Sequence, residues 1–346
     1  MHLTDIILGA LITVITVVSL CSNLLVLLCF IYSTEVRAQV PGVFILNLSF
    51  CNIIIAIMNM PATLAGVVTN QKPFGDAFCS AISFMETFLT ANTTLSMAAL
   101  SIDRWIAVVF PLSYSNKMRY KDALGMLAYA WLHSFAFSIC ALLLSLVGYS
   151  HTYASCTLHL TEREKGRTKF IAFSVVFLIA SFLLPLIILC FTYLKVLKVA
   201  RFHCKRIDVI TVQTLLVLVD IHPSVKQRCL LEQKKRRQRA TKKICIFIGS
   251  FVLCFAPYVI TRLTELTPGI HVNHHWGILS RCLAYSKGAL DPFVYSLLRQ
   301  QYRKALINMT NRVLGRDTYL SSSGHSSSAD MDNNNDAAGG AFQRVS

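Results

Sequence analysis

The sequence predicts an all-α membrane protein, a bundle of seven transmembrane helices. Of its 346 residues 54% are hydrophobic and only 14% are charged, and the mean hydropathy is +0.55. A soluble domain carries about 25% charged residues, so lipid is the solvent expected for much of this chain. The hydrophobic residues are collected into stretches of about 20 residues or more, the length that crosses a bilayer core. Because a backbone in lipid must pair its polar groups internally, each stretch is expected to be helical.

The seven stretches follow one another from the N-terminus to Leu298. They are Ile6–Tyr32, Val43–Val68, Ser80–Phe110, Ala123–Val147, Phe170–Leu197, Ile244–Leu266 and Ile278–Leu298. The first is too long for a signal peptide and lacks a basic region before it, so we expect a retained anchor.

The distribution of Lys and Arg predicts that the N-terminus lies outside the cell. With that orientation the cytoplasmic segments contain 24 of the 33 basic residues and the outer segments contain five. Basic residues are enriched in the cytoplasmic loops of membrane proteins. The net charge of +16 is therefore a consequence of membrane topology and requires no nucleic-acid partner.

Two of the twelve cysteines are predicted to form a disulfide. Cys79 begins the third helix at its outer end, and Cys156 lies in the second outer loop, so both are in the oxidising compartment. The other cysteines lie mostly in helices or in the cytoplasm, where thiols stay reduced. The alternative is a pair of free outer cysteines.

The sequence divides into a membrane domain and a tail. Residues 1–316 are expected to form the seven-helix domain, with a long cytoplasmic loop at 196–243, and residues 317–346 a disordered Ser-rich cytoplasmic tail. Gln301–Leu314 has apolar residues at helical spacing and basic residues opposite, which predicts a short amphipathic helix 8 on the membrane surface. In the long loop, the fifth helix should continue to Arg206. The apolar stretch Ile207–Ile221 is too short to span, and either lies on the inner leaflet or packs under the bundle.

A series of motifs lies on these helices in a fixed order. Asp103-Arg104-Trp105 is near the end of the third stretch, Cys254-Phe255-Ala256-Pro257 is in the sixth, and Asp291-Pro292-Phe293-Val294-Tyr295 is in the seventh. They resemble the Asp-Arg-Tyr, Cys-Trp-x-Pro and Asn-Pro-x-x-Tyr signatures of the rhodopsin-like (class A) G-protein-coupled receptors. Other positions that match the family are Asn23, Trp131, Pro185, Tyr193 and Phe251.

The resemblance implies a multi-pass receptor of the plasma membrane whose partner is a heterotrimeric G protein. Lys195–Thr211, Cys282–Lys287 and Asp291–Arg299 are most similar to two closely related orphan receptors. This implies constitutive coupling to the stimulatory G protein and raised cyclic AMP. The alternative is an amine or small-molecule receptor that needs its ligand and uses another G protein.

Other classes of function are less well supported. A membrane transporter is a remote alternative, but we find no internal repeat of the kind that transporters show. Arg104, Lys287 and Glu86 lie at different depths and form no catalytic set, so an enzyme is not expected. As a receptor, the chain should take an unidentified small-molecule or peptide ligand, and the Ser-rich tail should recruit receptor kinases and arrestin.

The resemblance assigns a switch at the cytoplasmic end. Arg104 beside Asp103 would face the G protein, and in many family members an acidic residue on helix 6 restrains this arginine at rest. Arg237 occupies that position here, so repulsion would replace restraint. The alternative is that Asp103 alone holds Arg104. The remaining residues expected in coupling and switching are Trp105, Tyr193, Phe251, Phe255, Pro257 and Tyr295.

A polar core site is expected midway through the bundle. Family members bind sodium with an Asp on helix 2 and an Asn on helix 7, whereas this chain has Asn52 and Asp291, with Asn23 on helix 1. Lys287 lies four residues before Asp291, on the same helical face. Since a buried carboxylate requires a partner, we hypothesise that Lys287 is a built-in cation in place of sodium. The alternative is that Lys287 points elsewhere.

The ligand-pocket candidates are Glu86, Arg262, Arg281 and Tyr285. Glu86 matches the position at which amine receptors carry the acid that binds the ligand ammonium, and Tyr285 matches an aromatic partner. Two alternatives stay open, because Glu86 could bind a ligand or form an ion pair with Arg281 that closes the pocket.

No cofactor or metal is expected. The retinal-binding lysine of opsins is seven residues before the helix 7 proline, where this chain has Tyr285 instead. His271, His274 and His275 in the third outer loop suggest zinc or proton sensing, but solvated loop histidines are far commoner.

Overall fold

In the computed structural model the hydrophobic stretches form long helices packed as a bundle. The structure describes residues 3–159, 164–217, 246–297 and 300–313. Within these ranges the main helices are α1 (Leu3–Tyr32), α2 (Val40–Thr69), α3 (Asp76–Val109), α4 (Tyr120–Leu143), α5 (Glu164–Leu178, Ile179–Leu183 and Leu184–Val217), α6 (Ile246–Glu265), α7 (His274–Asp291) and α8 (Gln300–Val313). Of the helices described, five are long and apolar enough to cross a membrane, and α3 with the bent segment after it makes a sixth.

Two helix ends differ from the sequence predictions. The fourth helix was expected to reach Val147 but ends at Leu143, and Val147 begins a β-strand instead. The fifth helix passes Arg206, its predicted end, and continues to Val217. The reason is that no Gly or Pro occurs between Ile207 and Val217, so nothing in the sequence stops the helix. The first part of the apolar stretch Ile207–Ile221 is therefore helical.

The described residues include three π-helical segments that the sequence did not predict. These segments are Ile55–Asn59 in α2, Ile179–Leu183 in α5 and Pro292–Leu297 after α7. Pro61 and Pro185 each lie two residues beyond such a segment. Since proline lacks an N–H and its ring clashes with the carbonyl four residues earlier, the hydrogen-bond ladder widens at these points.

The third helix lies at the centre of the bundle, where it contacts α2, α4, α5 and a short β-hairpin, while α1 packs against α2, α7 and α8. Buried polar side chains join three helices. Asn47 Nδ2 on α2 donates to Asn92 Oδ1 and to Ser96 Oγ on α3, at 2.7 and 2.9 Å. Trp131 Nε1 on α4 donates to Asn47 Oδ1 at 2.9 Å. These hydrogen bonds fix the rotation of α2 and α4 about their axes, since each side chain has its partner on one face.

A β-hairpin, β1 (Val147–Ser150) and β2 (Ser155–Leu158), covers one end of the bundle. The predicted disulfide is confirmed, because Cys156 on β2 is bonded to Cys79 in the first turn of α3. We call this the disulfide end, and the opposite end, where α3 carries Arg104, the Arg104 end. The amphipathic helix α8 lies near the Arg104 end, with Tyr302 buried and Arg303 and Lys304 exposed.

Candidate functional site

Two glycines allow the hairpin to pack closely against the helices at the disulfide end. A Cβ on Gly66 of α2 would come within 2.0 Å of the Ala154 carbonyl oxygen, and one on Gly277 of α7 within 2.2 Å of the Thr152 carbonyl oxygen. Both positions therefore exclude any larger residue unless the loop moves. Together with the disulfide, these contacts hold the hairpin turn between α2, α3 and α7.

An ion pair lies beneath the hairpin. Arg281 Nη2 on α7 is 2.5 Å from Glu86 Oε2 on α3, and Arg281 Nε donates to the Tyr285 hydroxyl at 2.9 Å. The Tyr285 oxygen is 3.0 Å from Thr63 Oγ1 on α2. Arg281 is only 1% exposed. Of the two alternatives for Glu86, this structure contains the ion pair.

A second arginine connects the hairpin to α6. Arg262 Nη2 donates to Thr157 Oγ1 at 2.5 Å, and Nη1 donates to the Leu158 carbonyl at 2.9 Å and to Glu265 Oε2 at 3.2 Å. Its Nε donates to the Tyr258 hydroxyl at 3.1 Å. With Glu86 and Arg281 this makes two acids and two bases, so this group of buried and partly buried charges is neutral overall.

Glu86 joins these two arginine sites. Its Oε1 accepts from the Tyr258 hydroxyl and from Thr157 Oγ1, both at 3.3 Å, while its Oε2 faces Arg281. Tyr153 in the hairpin turn packs against the Arg262 guanidinium, whose Cζ is 4.2 Å from the ring centroid. Burial raises the pKa of the Tyr153 phenol, so the ring meets the cation in its neutral form. The carboxylate thus links α3, α6, α7 and the hairpin.

Little space is left around this network. Glu86 borders two cavities, one lined also by Arg262, Tyr258 and Phe182 and the other by Arg281 and Tyr285, and each has a volume of about 40 Å³. At roughly 10–15 Å³ for each water, such a cavity has room for about three water molecules. The described part of the site therefore has no room for a drug-sized ligand, which needs several hundred Å³.

The second cavity extends to the polar core site. There Lys287 Nζ contacts the Asp291 carboxylate, and both residues are buried, at 1% and 3% exposure. Asn52 Nδ2 is 3.4 Å from Asp291 Oδ2 and 3.4 Å from Asn23 Oδ1. Asn23 Nδ2 also donates to the Gly288 carbonyl at 3.0 Å, which ties α1 to α7. The four residues predicted for this site are thus brought together, and Lys287 points towards Asp291.

At the Arg104 end, Asp103 is surrounded by polar partners. Arg104 Nη2 is 3.2 Å from Asp103 Oδ2, and the Tyr114 hydroxyl donates to Asp103 Oδ1 at 2.7 Å. Asp103 is fully buried, whereas the Arg104 side chain is 35% exposed. Trp105 packs edge-on against Phe110 and Phe191. Arg237, the predicted opposing cation, lies outside the described residues.

Aromatic side chains connect this end to the middle of the bundle. Tyr193 on α5 packs on Phe247 of α6 with ring centroids 4.4 Å apart, Phe251 packs on Phe255, and Phe255 packs on Phe182. Pro257 lies one half-turn beyond Phe255, and the Tyr295 backbone lies in the π-helical segment after α7. The switch residues Tyr193, Phe251 and Phe255 therefore lie in one hydrophobic cluster between α5 and α6.

The loop histidines are not gathered into one site. His274 Nδ1 is 2.5 Å from the His151 carbonyl oxygen of the hairpin turn, and His275 Nδ1 is 3.6 Å from Asp5 Oδ1 on α1. His271 lies in the loop before α7. Within the described ranges, no group of three or more His, Cys, Asp or Glu side chains is placed to hold a metal ion.

Several residues of the site were missed by the sequence analysis. The charged groups are contacted by Thr157, Tyr153 and Tyr258. The hairpin can approach the helices closely because positions 66 and 277 are glycines. The sequence gives no periodic signal for the loop residues, because hydrophobic periodicity marks helices and leaves loop contacts unspecified. One signal was available in the sequence: Arg262 and Glu265 are charged residues at the end of the sixth helix, and each needs a polar partner.

The sequence of this chain is similar to those of known receptors. Residues 22–295 match the family described as 7 transmembrane receptor (rhodopsin family). The chain is 61% identical to G-protein coupled receptor 26 of Rattus norvegicus over 299 residues, 86% of this chain and 88% of that protein. It is 49% identical to G-protein coupled receptor 78 of Homo sapiens over 324 residues, 94% of this chain and 89% of that protein. Identity to the octopamine receptor beta-2R of Chilo suppressalis is 24% over 312 residues, 85% of this chain and 77% of that protein.

Proposed function

The chain belongs to the rhodopsin family of seven-transmembrane receptors, and from that premise we propose that it is a constitutively active receptor that couples to the stimulatory G protein and raises cyclic AMP. Membership in the family makes it a multi-pass protein of the plasma membrane with a heterotrimeric G protein as its partner. The proposal adds the subtype of that G protein and the independence from an added ligand.

The closed disulfide end is the observation that supports independence from an added ligand. Arg281 and Arg262 already bind Glu86 and the hairpin, and the cavities beside Glu86 have room for only about three waters each. The charged side chains at the disulfide end therefore already have partners of opposite charge, and no ligand is needed to neutralise them. The amine-receptor alternative requires an ammonium at Glu86, where the guanidinium of Arg281 lies instead.

We further propose that the disulfide end faces outward and the Arg104 end faces the cytoplasm. The disulfide between Cys79 and Cys156 supports this orientation because disulfides form in oxidising compartments. The excess of Lys and Arg in the segments at the Arg104 end agrees with it. In this orientation the Ser-rich tail is cytoplasmic, where receptor kinases and arrestin act.

Basal signalling is the direct test. In cells given no ligand, cyclic AMP should rise in proportion to receptor at the surface, and the rise should disappear in cells that lack the stimulatory α-subunit. Arg104→Ala at equal surface level is the matched control, because it removes the residue proposed to contact the G protein. Output from the unmodified chain equal to that of the control would refute the proposal.

A second experiment asks whether Arg237 contributes to the basal activity. Arg237→Glu should lower basal cyclic AMP at least about fivefold, since loss of a repulsion of about 1 kcal/mol alone corresponds to about fivefold and an attraction to Arg104 adds to it. Arg239→Glu makes the same change of charge two residues away in the same basic run and should have a smaller effect. Equal effects of both variants would mean that the overall loop charge is responsible.

A further inference from the structure

We propose that Arg281 is an intramolecular ligand, a cation of the chain itself that occupies a binding site for guanidinium or ammonium groups on α3 and α7. This inference rests on the proposed function, since it identifies what the receptor uses in place of an added ligand. The site consists of the Glu86 carboxylate, the Tyr285 ring and hydroxyl, and the cavity that borders both.

The contacts of Arg281 resemble those of a bound small cation. One nitrogen, Nη2, meets the Glu86 carboxylate at 2.5 Å, and a second, Nε, donates to the Tyr285 hydroxyl at 2.9 Å. The guanidinium carbon is 5.3 Å from the centroid of the Tyr285 ring, within the range of a cation–π contact. The acid and the arginine are 195 residues apart in sequence, so only the folded bundle brings them together.

The third guanidinium nitrogen, Nη1, indicates that the binding site is larger than the Arg281 side chain that occupies it. Arg281 Nη1 is buried and has no hydrogen-bond partner among the described residues, and the same is true of Asn59 Oδ1. Both residues line the same cavity of about 40 Å³. A buried donor and a buried acceptor that border one cavity each require a water or a ligand atom in it.

The position of Glu86 explains how this cation could control signalling. Its second oxygen accepts hydrogen bonds from Tyr258 on α6 and from Thr157 in the hairpin, both at 3.3 Å. The contact with Arg281 holds the Glu86 carboxylate in place, and so holds α3, α6 and α7 in one arrangement. Without a cation there, the partly buried carboxylate loses its only basic partner among the described residues, and the arrangement of the three helices changes.

Removal of the side chain should therefore create a receptor for a soluble cation. Arg281→Ala lacks the atoms of ethylguanidinium, which fits the vacated space, and ethylurea is a neutral molecule of nearly the same shape. In purified Arg281→Ala, ethylguanidinium should raise the thermal midpoint with half-saturation at about 1 mM, a typical affinity for a ligand of this size. Ethylurea should not, and neither cation nor urea should act on the unmodified protein.

Two control variants establish where the cation binds. Arg281→Ala with Glu86→Gln removes the acid, and should lose the response to ethylguanidinium. Ile278→Ala opens a space on the same helix, where Ile278 is fully buried, but without an acid, and should also give no response. A response in either control, or none in Arg281→Ala, would overturn the proposal.

Signalling is then measured in the same variants. Basal cyclic AMP of Arg281→Ala should be about tenfold lower than that of the unmodified chain, a typical size for coupling between two sites, and ethylguanidinium should restore it while ethylurea should not. If Arg281→Ala signals as the unmodified chain does, Arg281 is not the ligand, although the proposed function stands. If the unmodified chain has no basal signal, the proposed function fails, and the thermal measurement alone decides whether the cation site exists.

Poor folding of Arg281→Ala does not prevent the test. Cells that express it are grown with ethylguanidinium or with ethylurea, and receptor at the surface is measured. Delivery that rises only with ethylguanidinium supports the site, because a bound cation stabilises the folded state. Delivery that is equally low with both compounds overturns the proposal.

Discussion

The buried pair of Lys287 and Asp291 gives the sharpest prediction for stability. Lys287→Met retains an unbranched side chain of similar length and removes the ammonium. Asp291, 3% exposed, then keeps Asn52 Nδ2 at 3.4 Å but loses its only basic partner within the described part of the chain. Breaking a buried ion pair in this way costs about 3–5 kcal/mol. Since a folded protein is stable by about 5–15 kcal/mol, the yield of folded receptor should fall sharply.

A second substitution, at Asp291, separates the effect of the lost charge from the effect of the changed shape. The double variant Lys287→Met with Asp291→Asn removes both charges, and Asn retains the shape of Asp and can still bond to Asn52. It should recover most of the loss, because no unpaired charge remains buried. The measurement is the thermal midpoint of the purified proteins together with receptor at the surface. A double variant no more stable than Lys287→Met would refute the reasoning.

Sodium provides an independent readout. We propose that Lys287 occupies the place where related receptors bind this ion, so sodium and potassium at equal ionic strength should give the unmodified receptor the same thermal midpoint. In Lys287→Met the space that the ammonium occupied beside Asp291 is open to sodium. Sodium, but not potassium, should then raise the thermal midpoint of this variant. A sodium-specific shift of the unmodified protein would show that the ammonium does not fill the site.

Two further predictions concern the disulfide end. Cys79→Ser and Cys156→Ser should each reduce surface delivery, and the double variant should be no worse than either one, since both remove the same bond; additive losses would mean that each cysteine has a separate role. Gly277→Ala should displace the hairpin, because its Cβ would lie 2.2 Å from the Thr152 carbonyl oxygen, whereas Gly249→Ala meets nothing within 4 Å. Protease sensitivity of the hairpin should rise in Gly277→Ala alone, and equal behaviour of the two variants would contradict the packing.

The features that the sequence predicted correctly are those set by local chemistry. The length of the hydrophobic stretches follows from the bilayer thickness, and the pairing of Lys287 with Asp291 follows from their spacing of four residues on one helix. The Cys79–Cys156 disulfide followed from the topology, because these two cysteines shared an oxidising compartment. Helix ends were predicted less well, since α4 ends before Val147 and α5 continues beyond Arg206.

What the tertiary structure alone decided is how the charged groups at the disulfide end pair with one another and with the hairpin. The sequence left Glu86 with either a ligand or Arg281 as its partner, and nothing in it placed Thr157 beside Arg262 or Gly277 beneath Thr152. Helical periodicity gives the face on which a side chain lies, but not the rotation of one helix relative to the next, nor the path of a loop. Those depend on how the whole bundle packs, and the contacts at the disulfide end exist only because α3, α6, α7 and the hairpin converge there.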